Sequence, residues 1–401
     1  MTQAETTSPF LKSLRNEAVS VPESGIVEVF HYGRDRKGLI PLWVGEGDLP
    51  TPEHISQAAI QSLNKDETFY THQRGAPEFR EAIARYMTRH YQSPYANGAG
   101  TFSPSRFFVT IGGMHALQLA MRMVAGTGDE VIVPTPAWPN FEASLTVNGA
   151  VPVEVPLRFD SAGWQLDFEA LRAAITPKTR AIIINTPSNP TGWVATHDEL
   201  KNVLDLARHH GLWIIADEIY GRLVFDGARA PSFHDHINDQ DQVMFCQTLS
   251  KCFAMTGWRV GWLEVPEALG AIAENLIQYS TSGVFLPLQR AGTVALEQGE
   301  AFLAFQVARM KQSRDVLMQT LRATGRARFA EPKGAFYLFC ALEGVENTRE
   351  TAFRLVDEAG VGVAPGTAFG KGGESFFRLC FARDPAQVGE AATRLANWLT
   401  R

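Results

Sequence analysis

Cysteine, basic charge and long apolar runs are all scarce in this sequence. Four of the 401 residues are cysteines, and no two of them form a Cys-x-x-Cys pair, which is typical of a reduced protein without a disulfide framework. The 37 Lys and Arg are outnumbered by 43 Asp and Glu, so a nucleic-acid or anionic-membrane binder is not expected. The longer uncharged runs, Phe107–Met121 and Asn275–Gln289, are too short and too often interrupted to predict a transmembrane helix.

The first residues, Met1–Pro9, contain neither a basic nor an apolar stretch, so no secretory signal peptide is expected. Together with the unpaired cysteines, this predicts a cytoplasmic protein. Apolar residues make up 45% of the chain and charged residues 20%, which is the balance of a globular protein with a large core. The length of 401 residues favours two or three domains.

Short β-branched and aromatic runs alternate with helical patterns through the middle of the chain. The runs expected to form strands are Phe107–Ile111, Val131–Val133, Val151–Val155, Ala181–Asn185, Leu212–Ala216, Val243–Gln247 and Val260–Glu264. Between two of them, His197–His210 has the spacing of an amphipathic helix, with Gly211 as its stop. This alternation predicts an α/β fold with a mostly parallel sheet covered by helices on both faces.

The pattern changes after about residue 265. Three helices and then a smaller α/β tail are expected, comprising Pro266–Ser280, Leu286–Gln298, Glu300–Ala323, the strands Ala335–Cys340 and Phe376–Phe381, and the helix Pro385–Leu399. The first fifty residues form no unit of their own and are expected to pack against this tail. We therefore predict a large domain at 49–290 and a small domain built from 1–48 and 291–401.

Chemically useful residues follow the predicted strands at their carboxyl ends, where open parallel sheets bind ligands. They are Gly112, Gly113 and Met114, then Trp138, Asn189, Asp217 and Tyr220, and finally Thr248, Ser250 and Lys251. Together they supply backbone amides, a flat aromatic ring, an amide, a carboxylate, a phenol, hydroxyls and an amine. These groups suit a flat, heteroaromatic, phosphorylated aldehyde.

Several segments carry a family resemblance. Asn189–Gly192, Asp217–Tyr220 and Ser250-Lys251 with Met255–Gly261 resemble the signature segments of class I/II aminotransferases, and Gly45–Pro52 and Gly75–Arg80 resemble that family's N-terminal motifs. These enzymes use pyridoxal 5'-phosphate and have fold type I, in the branch that includes aspartate aminotransferase. The resemblance runs from about residue 40 to Arg378. It implies an aminotransferase of amino acids and 2-oxo acids, working by a ping-pong mechanism, in a homodimer with shared active sites.

The resemblance implies the catalytic roles. Lys251 would form the Schiff base with the cofactor and then move the proton at the substrate Cα. Asp217 would pair with the ring nitrogen, and Glu218 is the weaker candidate because adjacent residues do not both face the ring. Tyr220 and Asn189 would hydrogen-bond the phenolic oxygen of the cofactor.

The remaining ligand-binding roles are also implied by resemblance. The cofactor phosphate would be held by backbone amides at Gly112, Gly113 and Met114, hydroxyls of Thr248 and Ser250, the fork of Arg259, and Tyr70 from the neighbouring subunit. Trp138 would stack on the ring. The substrate α-carboxylate would be bound by Arg378, with help from Asn189 and the amide of Gly45.

The sequence departs from aspartate-specific relatives at the side-chain pocket. Met114 stands where they have a lysine, and Leu276–Val284 contains no arginine. This predicts a neutral or aromatic amino donor, unless a cation near the mouth intervenes. Candidates for that cation, or for a polar group beside it, are His31, Tyr32, Arg34, His72 and Arg74.

Two other functions remain open at this point. One is a pyridoxal-phosphate carbon–sulfur lyase, because Ile40–Val44 slightly resembles the N-terminal segment of such enzymes. The other, more remote function is a non-catalytic cofactor-binding regulator. No metal site is expected. His234-Asp235-His236 is expected to lie in a polar loop without a third ligand, and Cys340 and Cys380 are expected in the core.

Overall fold

The computed structural model describes residues 10–21 and 23–401. The segment Met1–Pro9, on which the signal-peptide prediction depends, and Pro22 lie outside the described residues, so part of the predicted 1–48 segment does too. No helix within the described ranges is long and apolar enough to cross a membrane.

Helices and strands alternate along the chain. The strands are β1 (Ile40–Pro41), β2 (Phe107–Thr110), β3 (Glu130–Thr135), β4 (Val151–Pro156), β5 (Arg158–Asp160), β6 (Gly163–Gln165), β7 (Thr179–Asn185), β8 (Trp213–Asp217), β9 (Val243–Thr248), β10 (Gly261–Glu264), β11 (Ala327–Phe329), β12 (Tyr337–Leu342), β13 (Val361–Gly362), β14 (Ala364–Pro365) and β15 (Phe376–Cys380). The helices are α1 (Asn16–Val19), α2 (Gly25–Gly33), α3 (Glu53–Asn64), α4 (Pro77–Tyr91), α5 (Gly112–Val124), α6 (Asn140–Val147), α7 (Phe168–Ala173), α8 (His197–His210), α9 (Gly270–Gln278), α10 (Leu286–Gln298), α11 (Glu300–Ala323), α12 (Thr348–Arg354) and α13 (Pro385–Leu399).

The predicted central sheet is confirmed and has seven strands in the order β2-β10-β9-β8-β7-β3-β4. β10 pairs antiparallel with both β2 and β9, whereas the other pairings are parallel. The sequence pattern did not predict the reversal of β10. Its physical basis is the connection from β9, only residues 249–260, which returns the chain along the neighbouring strand.

Alternate residues of the central strands face opposite helix layers. Ile182 and Ile214 are buried against Leu200 of α8 on one face. Ile183 and Ile215 are buried against α5 on the other. Since both faces of these strands are covered, the strands read as continuous apolar runs, as expected for a buried parallel sheet.

A second, antiparallel sheet lies in the C-terminal part, in the order β11-β12-β15-β14. The N-terminal segment joins it through β1, which pairs parallel with β13, Ile40 opposite Val361. The domain bounds at residues 48 and 290 stay a prediction.

Several element bounds differ from the expectation by one or two residues, and the differences at β12 and α9 have a local explanation or an intervening turn. β12 begins at Tyr337 rather than Ala335, because Ala335 has a φ of 55°, a left-handed conformation that does not continue a strand. The helix expected from Pro266 is shorter: a 3-10 turn at Glu267–Leu269 precedes α9, which ends at Gln278.

The expectation that His234 lies in a polar loop was wrong. It is 2% exposed and its ring stacks on Phe245 with centroids 3.9 Å apart. Its Nε2 lies 3.2 Å from Oε2 of the fully buried Glu264, whose Oε1 accepts a hydrogen bond from Nε of Arg106 at 2.9 Å. This is a buried ion cluster that links residues 232–236 to β10 and to the residue just before β2. The described residues contain no cluster of three or more metal-ligand side chains.

The ionised groups of this cluster stabilise one another in their charged forms. Burial alone would raise the pKa of Glu264, but His234 and Arg106 bring it below its ordinary value. Burial alone would lower the pKa of His234, but Glu264 brings it above its ordinary value. The cluster is therefore ionised in the folded protein at mildly acidic pH.

We predict that Glu264→Gln lowers the free energy of unfolding by about 3–5 kcal/mol, because it leaves two buried cations without their carboxylate. Glu264 stabilises the fold above its ordinary pKa of 4.5, and this contribution is lost as pH falls through its lower folded pKa. His234 stabilises it below its ordinary pKa of 6.5, and that contribution is lost as pH rises through its higher folded pKa. Denaturant titrations should therefore show the largest difference in the free energy of unfolding between the parent and Glu264→Gln at pH values between 4.5 and 6.5.

The control is Glu169→Gln, whose carboxylate pairs with Arg172 at 2.8 Å on the surface. Such an exposed pair is worth at most about 1 kcal/mol. A loss for Glu264→Gln no larger than that of the control would contradict the prediction.

Candidate active site

One edge of the central sheet gathers the predicted site residues. Asp217 is the last residue of β8 and Thr248 the last of β9, while Gly112 opens α5 directly after β2. β10 runs the opposite way, and its first residue, Gly261, pairs with Thr248. Arg259, just before that strand, is therefore delivered to the same edge from the other direction.

A cavity of about 460 Å³ opens at this edge. Seven of the predicted site residues line it: Gly45, Trp138, Asn189, Asp217, Tyr220, Lys251 and Arg378. They come from both sheets and from the N-terminal segment, so the cavity lies where these parts of the chain meet.

Asp217 has a buried oxygen without a partner. Its side chain is 1% exposed; Oδ1 accepts a bond from the Ile219 amide at 3.4 Å, and Oδ2 has no hydrogen-bond partner within the described residues. Burial raises the pKa of Asp217 to about 7. A buried carboxylate oxygen of this kind calls for a donor or cation from a bound group.

Glu218, the weaker candidate for this role, points elsewhere. Its carboxylate accepts bonds from the Ser232 hydroxyl at 2.7 and 3.0 Å and from the Phe233 amide at 3.2 Å. The side chains of Asp217, the last residue of β8, and of Glu218, the residue after it, thus point in different directions, as the sequence argument required.

Lys251 places its amine in the cavity. Nζ donates a hydrogen bond to the carbonyl of Gly45 at 2.8 Å. Burial, with contributions from Arg378 and Arg259, lowers the pKa of Lys251 to about 8. Near neutral pH a larger fraction of this amine is uncharged than in an ordinary lysine, so it can act as nucleophile and base.

Arg378 is buried without a carboxylate. Its guanidinium, 2% exposed, donates to Oδ1 of Asn189 at 3.0 Å and to the carbonyl of Trp43. It lies over the rings of Tyr337 and Phe369, at 4.7 and 5.0 Å. Among residues 10–21 and 23–401 no carboxylate lies within 4.0 Å, so the charge suits an anionic ligand.

Tyr220 pairs with a residue that the sequence argument missed. Its hydroxyl lies 2.8 Å from that of Tyr337, and both side chains are buried. Burial raises the pKa of Tyr220 well above its ordinary value, so the phenol stays protonated. An aromatic residue on a predicted strand is typical of the core, and no sequence signal distinguished Tyr337 from such a residue.

The residues expected to hold phosphate form a tight cradle. Gly112 has a φ of +68°, and a Cβ there would lie 2.5 Å from an Nη of Arg259. The Thr248 hydroxyl donates to the Val260 carbonyl at 2.9 Å, and its oxygen also lies 2.9 Å from Ser250 Oγ. Only glycine leaves room here for the guanidinium beside the start of α5, where free backbone amides favour an anion.

Met114, in the first turn of α5, does not line the cavity itself but contacts a residue that does. Its sulfur accepts a weak hydrogen bond at 3.6 Å from the amide of Asn140, which lines the cavity.

The N-terminal helix α2 lines the cavity too, which the sequence argument foresaw only for His31. The lining residues of α2 are Ile26, Val27, Phe30 and His31, and Ser24 just before the helix lines the cavity as well. The other candidates for the mouth point away: Tyr32 bonds Asp357, Arg34 bonds Asp35 and Arg74 bonds Glu274. His72 does not line the cavity.

Tyr70 does not reach the cavity of its own chain. Its side chain is 95% exposed, beside Phe69 at 83%. Both lie at a shallow surface depression formed by Thr68–Thr71 and Thr281–Phe285.

The arrangement fits a pyridine aldehyde that carries a phosphate. Asp217 has an unpaired oxygen for the ring nitrogen, Lys251 an amine for the aldehyde, and the Gly112–Arg259 cradle donors for the phosphate. The donor set thus matches pyridoxal 5'-phosphate.

Comparison with known proteins agrees with this chemistry. Residues 37–395 match the family model "Aminotransferase class I and II". The chain is 31% identical to "Aromatic-amino-acid aminotransferase 2" of Thermococcus litoralis, covering 96% of this chain and 98% of that one. It is 34% identical to "Probable aspartate/prephenate aminotransferase" of Thermus aquaticus, with 97% and 98% covered.

A solved structure is similar over the same length. The aspartate aminotransferase of Thermus thermophilus with maleate superimposes with a TM-score of 0.87 at 31% identity, covering 96% of this chain and 99% of that one. The expected fold type I is thereby confirmed. The chain belongs to the class I and II aminotransferases, and is a pyridoxal-phosphate-dependent enzyme of that family.

Proposed function

We propose that this aminotransferase takes its amino group from a neutral or aromatic L-amino acid and passes it to a 2-oxo acid in a ping-pong reaction. The observation that carries the proposal is the composition of the cavity. Among the described residues that line it, Arg378 is the one arginine, and the wall that α2 contributes is mostly apolar.

Pyridoxal phosphate, when bound, supplies an electron sink for the charge that develops at the substrate Cα. Lys251 moves the proton at that carbon, and its pKa of about 8 suits transfer near neutral pH. Asp217 holds the ring nitrogen protonated through the oxygen that is otherwise unpaired. Tyr220 and Asn189 bind the phenolic oxygen of the cofactor, and Trp138 covers the ring.

The phosphate is held by charge and by backbone amides. Arg259 and the amides of Gly112, Gly113 and Met114 bind its oxygens, with the hydroxyls of Thr248 and Ser250 alongside. At the substrate end, Arg378 binds the α-carboxylate, flanked by Asn189 and the Gly45 amide. The hydrogen bond from Arg378 to Asn189 supports this shared role.

We predict that Lys251→Ala lowers the transamination rate by about a thousandfold or more, because it removes both the nucleophile and the base. The measurement is steady-state turnover of the purified protein with saturating pyridoxal phosphate. The matched control is Lys201→Ala, an exposed lysine of α8 paired with Asp205, which should retain the parent rate. Near-parental turnover by folded Lys251→Ala would contradict the assigned role.

The side-chain pocket favours apolar donors. Ile26, Val27 and Phe30 line it, and burying an aromatic or aliphatic side chain there contributes roughly 1.5–3 kcal/mol. The carboxylate of an aspartate donor would lose hydration without an evident cation, since Arg34 and Arg74 pair elsewhere. His31 is the one member of the predicted mouth group at the cavity.

We predict that phenylalanine, tyrosine or leucine reacts faster than aspartate in the first half-reaction. The measurement is the single-turnover rate constant of the holoenzyme with each amino acid, followed by cofactor absorbance. Aspartate reacting fastest would overturn the proposed donor class. Release of pyruvate and ammonia from cystathionine without a 2-oxo acid would instead favour the lyase alternative.

A homodimer with shared active sites is the proposed assembly. Phe69, Tyr70 and Tyr279 are 83%, 95% and 88% exposed, which is costly for large aromatic side chains on a free surface. A second copy covering this region would bury them and bring Tyr70 to the partner's phosphate.

We predict that mixing Lys251→Ala subunits with Tyr70→Phe subunits restores activity above that of either variant alone. Each mixed dimer would contain one site with an intact lysine and an intact tyrosine. The control mixes Lys251→Ala with Lys251→Ala,Tyr70→Phe subunits, which cannot form such a site. No restoration after verified subunit exchange would reject the contribution of Tyr70 across the interface.

A further inference from the structure

A second, larger cavity lies away from the active site. It has a volume of about 990 Å³, and we call it the hairpin groove because the β5–β6 hairpin forms one wall. The opposite wall comes from β11 and the residues that follow it, up to Lys333, and the end of α11 closes it at Arg322. The volume is at the upper end of the range for small-molecule sites.

Aromatic rings form much of the groove wall. Its lining includes Phe159, Trp164, Phe168, Trp193 and Phe329. The ring centroids of Phe159 and Trp164 are 4.6 Å apart, and Trp164 also contacts Phe376 at 5.1 Å. Trp164 is 5% exposed, yet its Nε1 has no hydrogen-bond partner within the described part of the chain. A wall of flat apolar faces favours a planar ligand.

Four cations line the groove, and three of them are already paired. Arg158 lies 3.7 Å from Asp167, Arg322 lies 4.0 Å from Glu331, and Lys333 lies 3.7 Å from the same Glu331. Asp160, Glu199 and Glu331 line the groove as well, so among the described residues three carboxylates face its four cations.

Arg328 differs from the other three. It has no carboxylate within 4.0 Å and no side-chain hydrogen bond to any residue in the described ranges. Its guanidinium is instead held over the rings of Phe159 and Phe376, 5.0 and 5.5 Å from their centroids. These cation–π contacts hold the guanidinium at the groove wall and leave its N–H donors free for a bidentate contact.

We infer that the hairpin groove binds an aromatic monocarboxylate. The single unpaired guanidinium matches one negative charge and the two oxygens of a carboxylate, while the aromatic wall receives a ring. A nucleoside phosphate fits less well, because its dianionic head exceeds the single net positive charge of four cations and three carboxylates in this lining.

The test titrates holoenzyme with 2-naphthoate in a calorimeter, because this aryl carboxylate has neither the amino nor the oxo group that the active site converts. We expect Arg328→Gln to weaken binding by at least about tenfold while keeping the parental transamination rate. Arg172→Gln, an exposed arginine outside the groove, should bind as the parent does. Folded Arg378→Gln, which removes the guanidinium of the active-site cavity, should still bind the probe.

Equal affinity of the parent and Arg328→Gln would overturn the assignment. So would loss of binding in folded Arg378→Gln, which would place the probe in the active-site cavity. Equal affinity for the uncharged 2-naphthylmethanol would show that the carboxylate is not recognised, and tighter binding of AMP would assign the groove to a phosphate ligand instead. None of these readouts depends on which amino acid the enzyme converts.

Discussion

The cavity depends on one buried guanidinium. Arg378 stands on β15 of the small sheet, donates to the carbonyl of Trp43 in the N-terminal segment, and donates to Asn189 in the loop after β7. Three distant stretches of chain thereby meet around a single planar group. Its hydrogen bonds to neutral acceptors fix its plane but leave its charge unneutralised, so the structure that assembles the cavity also prepares it for an anion.

Burial brings the two principal ionisable groups of the cavity close in proton affinity. It raises the pKa of Asp217 to about 7 and lowers the pKa of Lys251 to about 8, from ordinary values far apart. The charged form of each group is more stable in water than in the buried cavity. A site that tolerates this cost gains a carboxylate and an amine that respond to a charged ring placed between them.

Much of this could be predicted from the sequence, because short β-branched apolar runs and polar residues at strand ends are local signals. The seven central strands and the residues after them needed no knowledge of long-range contacts. Tyr337, the lining helix α2 and the burial of His234 did, since each owes its role to a partner far away along the chain. Tyr337 looked like core, and His234 lay among polar neighbours whose partner, Glu264, is thirty residues away.

The reversal of β10 has a consequence for how this chain can vary. Lys251 and Arg259 stand on the same connection, and both of its ends are fixed by the pairing of Thr248 with Gly261. The separation between the amine and the phosphate-side guanidinium is therefore set by the length of one short loop rather than by the packing of two domains. Side chains within this loop can change one at a time, but an insertion or deletion would alter the spacing that a rigid ligand spans. The antiparallel pairing of β10 with β9 therefore sets the spacing between the amine of Lys251 and the guanidinium of Arg259.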